Sequence, residues 1–375
     1  MTRIAVTIIT GFLGSGKTTL LNALLKHPEM SRSAIIVNEF GEIGLDYDLV
    51  QTSSENVVQL ENGCLCCTVK GDLIDTFRDL YLQRKGGQLP WFDHVVIETT
   101  GIADPVPVMQ IVVTDPLIST ASELDGVVTT VDAVNAKSTL DTFTESVKQV
   151  AVADRIVLTK TDLVEGAANR DEKLDAIRAR IRVLNPIAEL IEGAPQTIDP
   201  ARLFGEGLTR RDPKELIAEF YVEEELEGEG HEEARELTDE ERQRAAKTYE
   251  GAGHTPNLAS HHDPLIKTFC ITRDEPVSID TLRLFLDALS RDAGPDLLRV
   301  KGLVNIAEKP GEPAVIQGAQ NIFHSLQFLD AWPSADERTR IVFITRGIEK
   351  AKVEDDLALI ERISRRTAEA AARMQ

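Results

Sequence analysis

Gly11-Phe12-Leu13-Gly14-Ser15-Gly16-Lys17-Thr18 constrains this chain more than any other stretch. A glycine, four variable positions and then Gly-Lys-Ser/Thr form a loop whose backbone wraps phosphate groups. The setting fits the pattern. Ile4-Ala5-Val6-Thr7-Ile8-Ile9, an apolar β-rich run, precedes it, and Thr19-Leu20-Leu21-Asn22-Ala23-Leu24-Leu25-Lys26, a good helix opening, follows. Strand, glycine loop and helix together make a phosphate-binding unit. The glycines let N–H groups turn inward without Cβ clashes, and the helix N-terminus adds partial positive charge. On this reading residues 11–19 line a phosphate chain. Lys17 reaches the β- and γ-phosphates, and the Thr18 hydroxyl ligates Mg²⁺.

A chain of 375 residues is long for one core, so two domains are expected. The formal charge of −21 argues against a nucleic-acid partner, because phosphate backbones repel such a field. It suits a protein that handles cations or basic partners. Three of the four cysteines crowd into Cys64-Leu65-Cys66-Cys67, which speaks for metal or redox chemistry rather than a disulfide framework. No apolar run approaches the length needed to span a membrane. Residues 4–13 could pass for a signal-peptide core, but removing them would destroy the phosphate loop, so a cytoplasmic protein is expected.

Through residue 205 the sequence alternates short apolar runs with helical patterns, the signature of an α/β fold with a parallel sheet covered by helices on both faces. Strands are expected at 4–10, 34–38, 57–60, 95–98, 126–131 and 155–159, and helices at 18–26, 72–84, 139–150 and 172–184. Residues 206–264 read as an acidic linker or insertion. Between Val222 and Glu241 eleven Asp or Glu face one Arg, a self-repelling run. The histidines of this region (His231, His254, His261 and His262) read as solvated loop residues. From 265 to 375 a smaller α+β domain is expected. Its strands fall at 266–272, 298–307, 314–320, 325–331 and 340–345, with Cys270 in the core. Helices are expected at 278–289 and 350–373.

Every chemical motif falls just past an expected strand, where ligands gather in such sheets. Val95-Val96-Ile97-Glu98 ends in an acid that can hold Mg²⁺ directly or through water, and the Gly101 N–H that follows can sense a γ-phosphate. In Thr159-Lys160-Thr161-Asp162 the Asp162 carboxylate can accept hydrogen bonds from guanine N1–H and N2–H₂, which adenine cannot offer. Lys160 would lay its stem along the base. The usual guanine motif carries Asn where Thr159 stands. Thr keeps a hydroxyl but loses the amide that bonds the base and braces the phosphate loop. Asn38-Glu39-Phe40-Gly41-Glu42-Ile43-Gly44-Leu45-Asp46, with two glycines and three acids, suits a mobile loop near the Mg²⁺.

In an extended segment Cys64 and Cys66 point to one side and Cys67 to the other, so two thiolates share a metal easily and three require a bend. Soft sulfur favours Zn²⁺ or Cu⁺, with Co²⁺ possible. A structural zinc site has four protein ligands, and no second Cys or His pair at fixed spacing supplies the rest. The incomplete set suits a site that releases its ion, or completes it from Glu42, water or a partner.

Taken together these residues resemble the CobW-like group of metal-handling P-loop GTPases, relatives of the nickel-insertion GTPases for urease and hydrogenase. The stretches that carry the resemblance are 10–19, 38–46, 63–67, 98–105 (Glu-Thr-Thr-Gly-Ile-Ala-Asp-Pro) and 158–163, with 298–303 and 341–347 in the second domain. The resemblance implies a P-loop NTPase fold and slow, metal-responsive hydrolysis of GTP to GDP. It also implies delivery of a transition metal, zinc or cobalt, to a client protein. Lys17, Thr18 and Glu98 then carry the chemistry, Cys64, Cys66, Cys67 and Glu42 the metal, and a homodimer is possible. The family's His-rich linker is replaced here by the acidic run. No cis arginine finger is evident, which agrees with a slow intrinsic rate. A P-loop kinase for a small molecule and a non-enzymatic, nucleotide-gated regulator are the rival readings.

Overall fold

The computed structural model describes residues 3–37, 57–59, 69–164, 170–204, 266–323 and 326–373. These separate into two units, one holding the N-terminal part and one the C-terminal part. The cysteine loop with Cys64, Cys66 and Cys67, the Asn38–Asp46 loop with Glu42, the acidic run and its histidines all lie outside the described residues.

Among the described residues, seven parallel strands build the first unit: β1 (Ile4–Gly11), β2 (Ser33–Val37), β3 (Val57–Gln59), β4 (His94–Glu98), β5 (Ser122–Asp132), β6 (Arg155–Thr159) and β7 (Glu189–Glu192). Their order is β3-β2-β4-β1-β5-β6-β7. Apolar side chains run through consecutive positions because both faces are covered, as a parallel sheet demands. Ile9, Val96, Val128 and Val157 share a core with Leu20, Leu21 and Leu24 of α1 (Lys17–Leu24). β1 lies between β4 and β5; the connection after β1 runs to β2 on one side, and the connection after β4 runs to β5 on the other. The crevice at its carboxyl end is therefore the place where a ligand fits between divergent loops.

Among the described residues, the helices of this unit are α1, α2 (Val69–Lys85), α3 (Val106–Thr114), α4 (Pro116–Ala121), α5 (Ala136–Thr142), α6 (Thr144–Val152), α7 (Arg170–Leu184) and the short α8 (Pro200–Leu203). The single helix expected at 139–150 is two helices. Phe143 adopts an extended backbone, φ −116° and ψ 115°, and its ring stacks on Phe12 of the phosphate loop at 4.6 Å. Helix α3 was hidden by its sequence, Val-Pro-Val-Met-Gln-Ile-Val-Val-Thr. A β-branched, apolar run shows no helical period when most of its surface is buried. Asp115 then caps α4, accepting from the Leu117 and Ile118 amides at 3.0 and 3.1 Å. β7 also escaped notice, because a charged edge strand carries little apolar signal.

The second unit is an antiparallel sheet, β11-β10-β9-β13-β8 with β12 beside β10. Its strands are β8 (Ile266–Arg273), β9 (Leu297–Val304), β10 (Ala314–Ala319), β11 (Ile322–Phe323), β12 (Gln327–Phe328) and β13 (Thr339–Arg346). Two helices, α9 (Ile279–Asp292) and α10 (Lys350–Arg373), pack Leu282, Phe285, Leu289, Val353 and Leu357 onto Ile271, Val300, Ile341 and Phe343. Ser278 caps α9 through the Thr281 amide. Cys270 is buried in β8, as expected. The strand expected at 325–331 shrinks to the two residues of β12.

Candidate functional site

At the end of β1 the backbone takes a path that side chains would obstruct. Gly11, Gly14 and Gly16 have φ of 142°, 71° and 94°. A Cβ at Gly11 would stand 2.3 Å from Thr130 Oγ1 and 2.5 Å from the Thr130 carbonyl. The loop is thus pressed against β5, where Ser15 Oγ and Thr130 Oγ1 hydrogen-bond at 2.6 Å. Gly16 starts α1 in the left-handed region with no side-chain cap, and no acid occupies the first turn. The first amides of α1 are left for an anion.

Lys17 is buried beneath this loop, its ammonium donating to the carbonyls of Gly11 at 2.9 Å and Phe12 at 3.3 Å. Thr18 Oγ1 donates to Glu98 Oε1 at 2.9 Å, which brings the end of β4 to the start of α1. A hydroxyl and a carboxylate oxygen side by side, at the mouth of an anion cradle, are hard ligands of the kind Mg²⁺ takes. The residues therefore fit that ion. Thr19 is exposed on the first turn of α1.

The loop after β4 sits directly on the phosphate loop. A Cβ at Gly101 would lie 2.6 Å from Leu13 Cδ2 and 2.8 Å from the Leu13 backbone. Thr99 is tied to β1, its amide to Ile9 O at 2.9 Å and its hydroxyl to Thr10 Oγ1 at 2.8 Å.

The turn after β6 corrects one expectation. Thr159 does brace the phosphate loop: its hydroxyl donates to Ser15 O at 2.6 Å and lies 3.2 Å from Val131 O. The branch at Cβ places the hydroxyl against the loop backbone, so the amide of an asparagine is not needed for that contact. Lys160 crosses the same loop from a left-handed backbone (φ 56°), donating to Gly14 O at 2.7 Å and to Asp132 Oδ2 at 2.8 Å. A non-glycine residue in that region is strained, and such strain collects at functional sites. Asp162 follows in a short turn, exposed and without a hydrogen bond or ion pair among the described residues. Its carboxylate is available to a base.

Asp132, Asn135 and Gln149 belong to this neighbourhood and escaped the sequence reading. Burial pushes the Asp132 carboxyl up, but hydrogen bonds from Lys160, Asn135 and the Val134 amide outweigh it and hold it below the usual range. The available signal was polar residues just past β5, the strand beside β1. Among the described residues no cluster of His, Cys, Asp and Glu could hold a transition metal. No described helix is long and apolar enough to cross a membrane.

Residues 5–191 match the family described as CobW/HypB/UreG, nucleotide-binding domain, and residues 266–360 match the Cobalamin synthesis protein cobW C-terminal domain. The chain is similar to the zinc chaperone YjiA of Escherichia coli K12, 32% identical over 356 residues that cover 94% of this chain and 97% of the relative. It is also similar to the zinc chaperone CobW of Pseudomonas aeruginosa, 30% identical over 392 residues, covering 95% and 91%. The crystal structure of Zn(II)-bound YjiA GTPase from E. coli matches over 96% of this chain and 99% of that one, with TM-score 0.63 and 26% identity.

Proposed function

The chain belongs to the CobW/HypB/UreG family, and from that premise we propose that it binds and hydrolyses GTP and couples the nucleotide state to the custody of a transition metal. Zinc is the cargo that the names of its full-length relatives support. Cys64, Cys66 and Cys67 would supply thiolates, with Glu42 or the recipient completing the set. The recipient is a client protein that takes the ion as the site loosens.

The observation that carries the nucleotide half is the Thr18–Glu98 hydrogen bond, which joins the phosphate loop to the loop holding Gly101. Mg²⁺ bound there would neutralise phosphate charge as it develops on the leaving side. This chain's own residues do the rest. The loop amides and Lys17 bind the phosphates, Thr159 and Lys160 hold the loop in shape, and Asp162 selects guanine. The Gly101 amide reads the γ-phosphate, and the rate is slow because binding rather than a dedicated base dominates. By linkage, if GTP changes the affinity for zinc, zinc changes the affinity for GTP by the same factor.

The test is a zinc titration, at buffered free metal, of the protein loaded with GDP and with a non-hydrolysable GTP analogue. We expect affinities that differ at least fivefold, corresponding to about 1 kcal/mol of coupling. Equal affinities would overturn the coupling, and loss of neither affinity in Cys66→Ala would remove the cysteine loop from the metal site.

A further inference from the structure

Gln149 of α6 is completely buried, yet the phosphate-binding chemistry has no use for it. Its Nε2 donates to two carbonyls of the loop after β4, Ala103 O at 2.9 Å and Gly101 O at 3.3 Å. Two carbonyl acceptors fix which end of the amide is nitrogen. Its Oε1 is buried with no hydrogen-bond partner. An amide that leaves its acceptor unsatisfied carries a desolvation cost that a methionine or leucine of similar size would avoid. What the amide supplies in return is a pair of donors aimed at one loop.

That loop is a tight turn. The Ala103 amide donates to Thr100 O at 3.1 Å, so Gly101 is the second residue and its own N–H stands outside the turn's closing bond. The turn is pinned from two sides. Leu13 of the phosphate loop leaves no room for a Cβ on Gly101, and Gln149 holds the carbonyls. Gln149 is itself anchored, since Thr129 Oγ1 donates to its backbone carbonyl at 2.8 Å and thereby ties α6 to β5. A cavity of about 210 Å³ opens beside it, between the outer side of the phosphate loop and α5–α6, with Gln149, Leu13, Phe12 and Ser146 among its walls.

We infer that Gln149 is a positioning residue for the γ-phosphate-sensing turn, its amide holding the Gly101 and Ala103 carbonyls so that the Gly101 N–H faces the third phosphate. The inference rests on the GTP reading of the site. GDP has no third phosphate and does not use the Gly101 amide, so Gln149 sets the preference for GTP over GDP and leaves the affinity for GDP alone.

The test compares the dissociation constants of a fluorescent GDP and a non-hydrolysable GTP analogue in the full chain and in two variants. Gln149→Met keeps the length of the side chain and removes both donors. It is expected to bind GDP within about twofold of the parent and the GTP analogue about tenfold more weakly. Gln149→Glu can donate one O–H while neutral and none when ionised. Its GTP preference is expected to persist at low pH and to fall as pH rises, relative to the parent at each pH. Equal weakening of both nucleotides in Gln149→Met, or no weakening of either, would overturn the inference. If that variant does not fold, Gln149→Glu decides, and a preference that does not vary with pH overturns it. A parent protein that binds GDP but not the GTP analogue would instead sink the GTP reading itself.

Discussion

The two ends of the first sheet each gather polar side chains, and they are built in opposite ways. At the amino ends of the strands buried polar side chains are bonded to one another. Thr7 Oγ1 donates to Asp125 Oδ2 at 3.0 Å, so the proton between Thr7 and His94 Nε2, also 3.0 Å apart, must come from the ring. His94 Nδ1 is then the acceptor for Ser33 Oγ at 3.3 Å. Asp125 reaches Thr7 because the register of β1 against β5 shifts between Val6 and Thr7, which sets one extra residue into β5. The Arg155 guanidinium lies 3.9 Å from the same carboxylate, both side chains almost fully buried. At the carboxyl ends the loops are instead shaped by glycines and backbone carbonyls, with Lys17 held by the Gly11 and Phe12 carbonyls, Thr18 by Glu98, and Asp162 exposed. A closed network supports the fold. An open one, held in place from behind, leaves the uncapped first amides of α1 and the exposed Asp162 carboxylate for a ligand.

The sharpest way to break the open end is Gly11→Ala. The new Cβ meets Thr130 Oγ1 at 2.3 Å and Ser15 Oγ at 2.8 Å, on a backbone of φ 142° that side chains rarely adopt. Strain and overpacking of about 3 kcal/mol must be relieved by moving the phosphate loop away from β5. Fluorescent GDP titration should show affinity reduced at least about a hundredfold. Parent-like affinity would mean that the close approach to Thr130 is not needed for the cradle.

The closed end is tested by pH. Burial first, and then the nearby Arg155 charge, push the His94 imidazole down to about 4. In the unfolded chain it titrates near its ordinary value of about 6.5. Above that pH both states are neutral and the full stability is present. As pH falls from about 6.5 to about 4 the unfolded chain takes up a proton that the folded one refuses, and stability is lost across that window. The ceiling is about 3 kcal/mol, and the partial exposure of the ring reduces it to about 2 kcal/mol. Denaturant midpoints of the parent and His94→Gln across this range should converge as pH falls, with GDP affinity at neutral pH unchanged. Parallel curves would show that the ring titrates normally.

The open end was legible in the sequence because its chemistry demands particular residues at fixed spacing. Glycine, lysine and threonine had to stand where they do from the end of β1 to the start of α1, with Glu98 at the end of one strand and Asp162 just past another. The closed end was not legible. Thr7, Ser33, His94, Asp125 and Arg155 come together only through strand order and one bulge, and none belongs to a local pattern. Gln149 was hidden for the same reason, because the carbonyls it bonds lie 46 and 48 positions away along the chain. The split at Phe143 came from a contact with Phe12 across more than a hundred positions, which no window of the sequence contains. Phosphate-loop chemistry is local, whereas the support behind it is tertiary.

Thr159 stands between these cases, since its position was readable and its contact was not. The sequence implied a residue that had given up the bracing of the phosphate loop, whereas its hydroxyl donates to Ser15 O at 2.6 Å. Thr159→Val isolates that bond, because it keeps the shape and removes only the donor. Thr159 is 2% exposed, so the Ser15 carbonyl has no ready replacement partner. The expected cost is about 1 kcal/mol, read as GDP affinity about fivefold weaker. Discrimination against ATP should be unchanged, because the Asp162 carboxylate is untouched. Weaker GDP binding together with lost discrimination would move Thr159 from the loop to the base. Unchanged GDP affinity would leave Lys160, through Gly14 and Asp132, as the residue that holds the open end in shape.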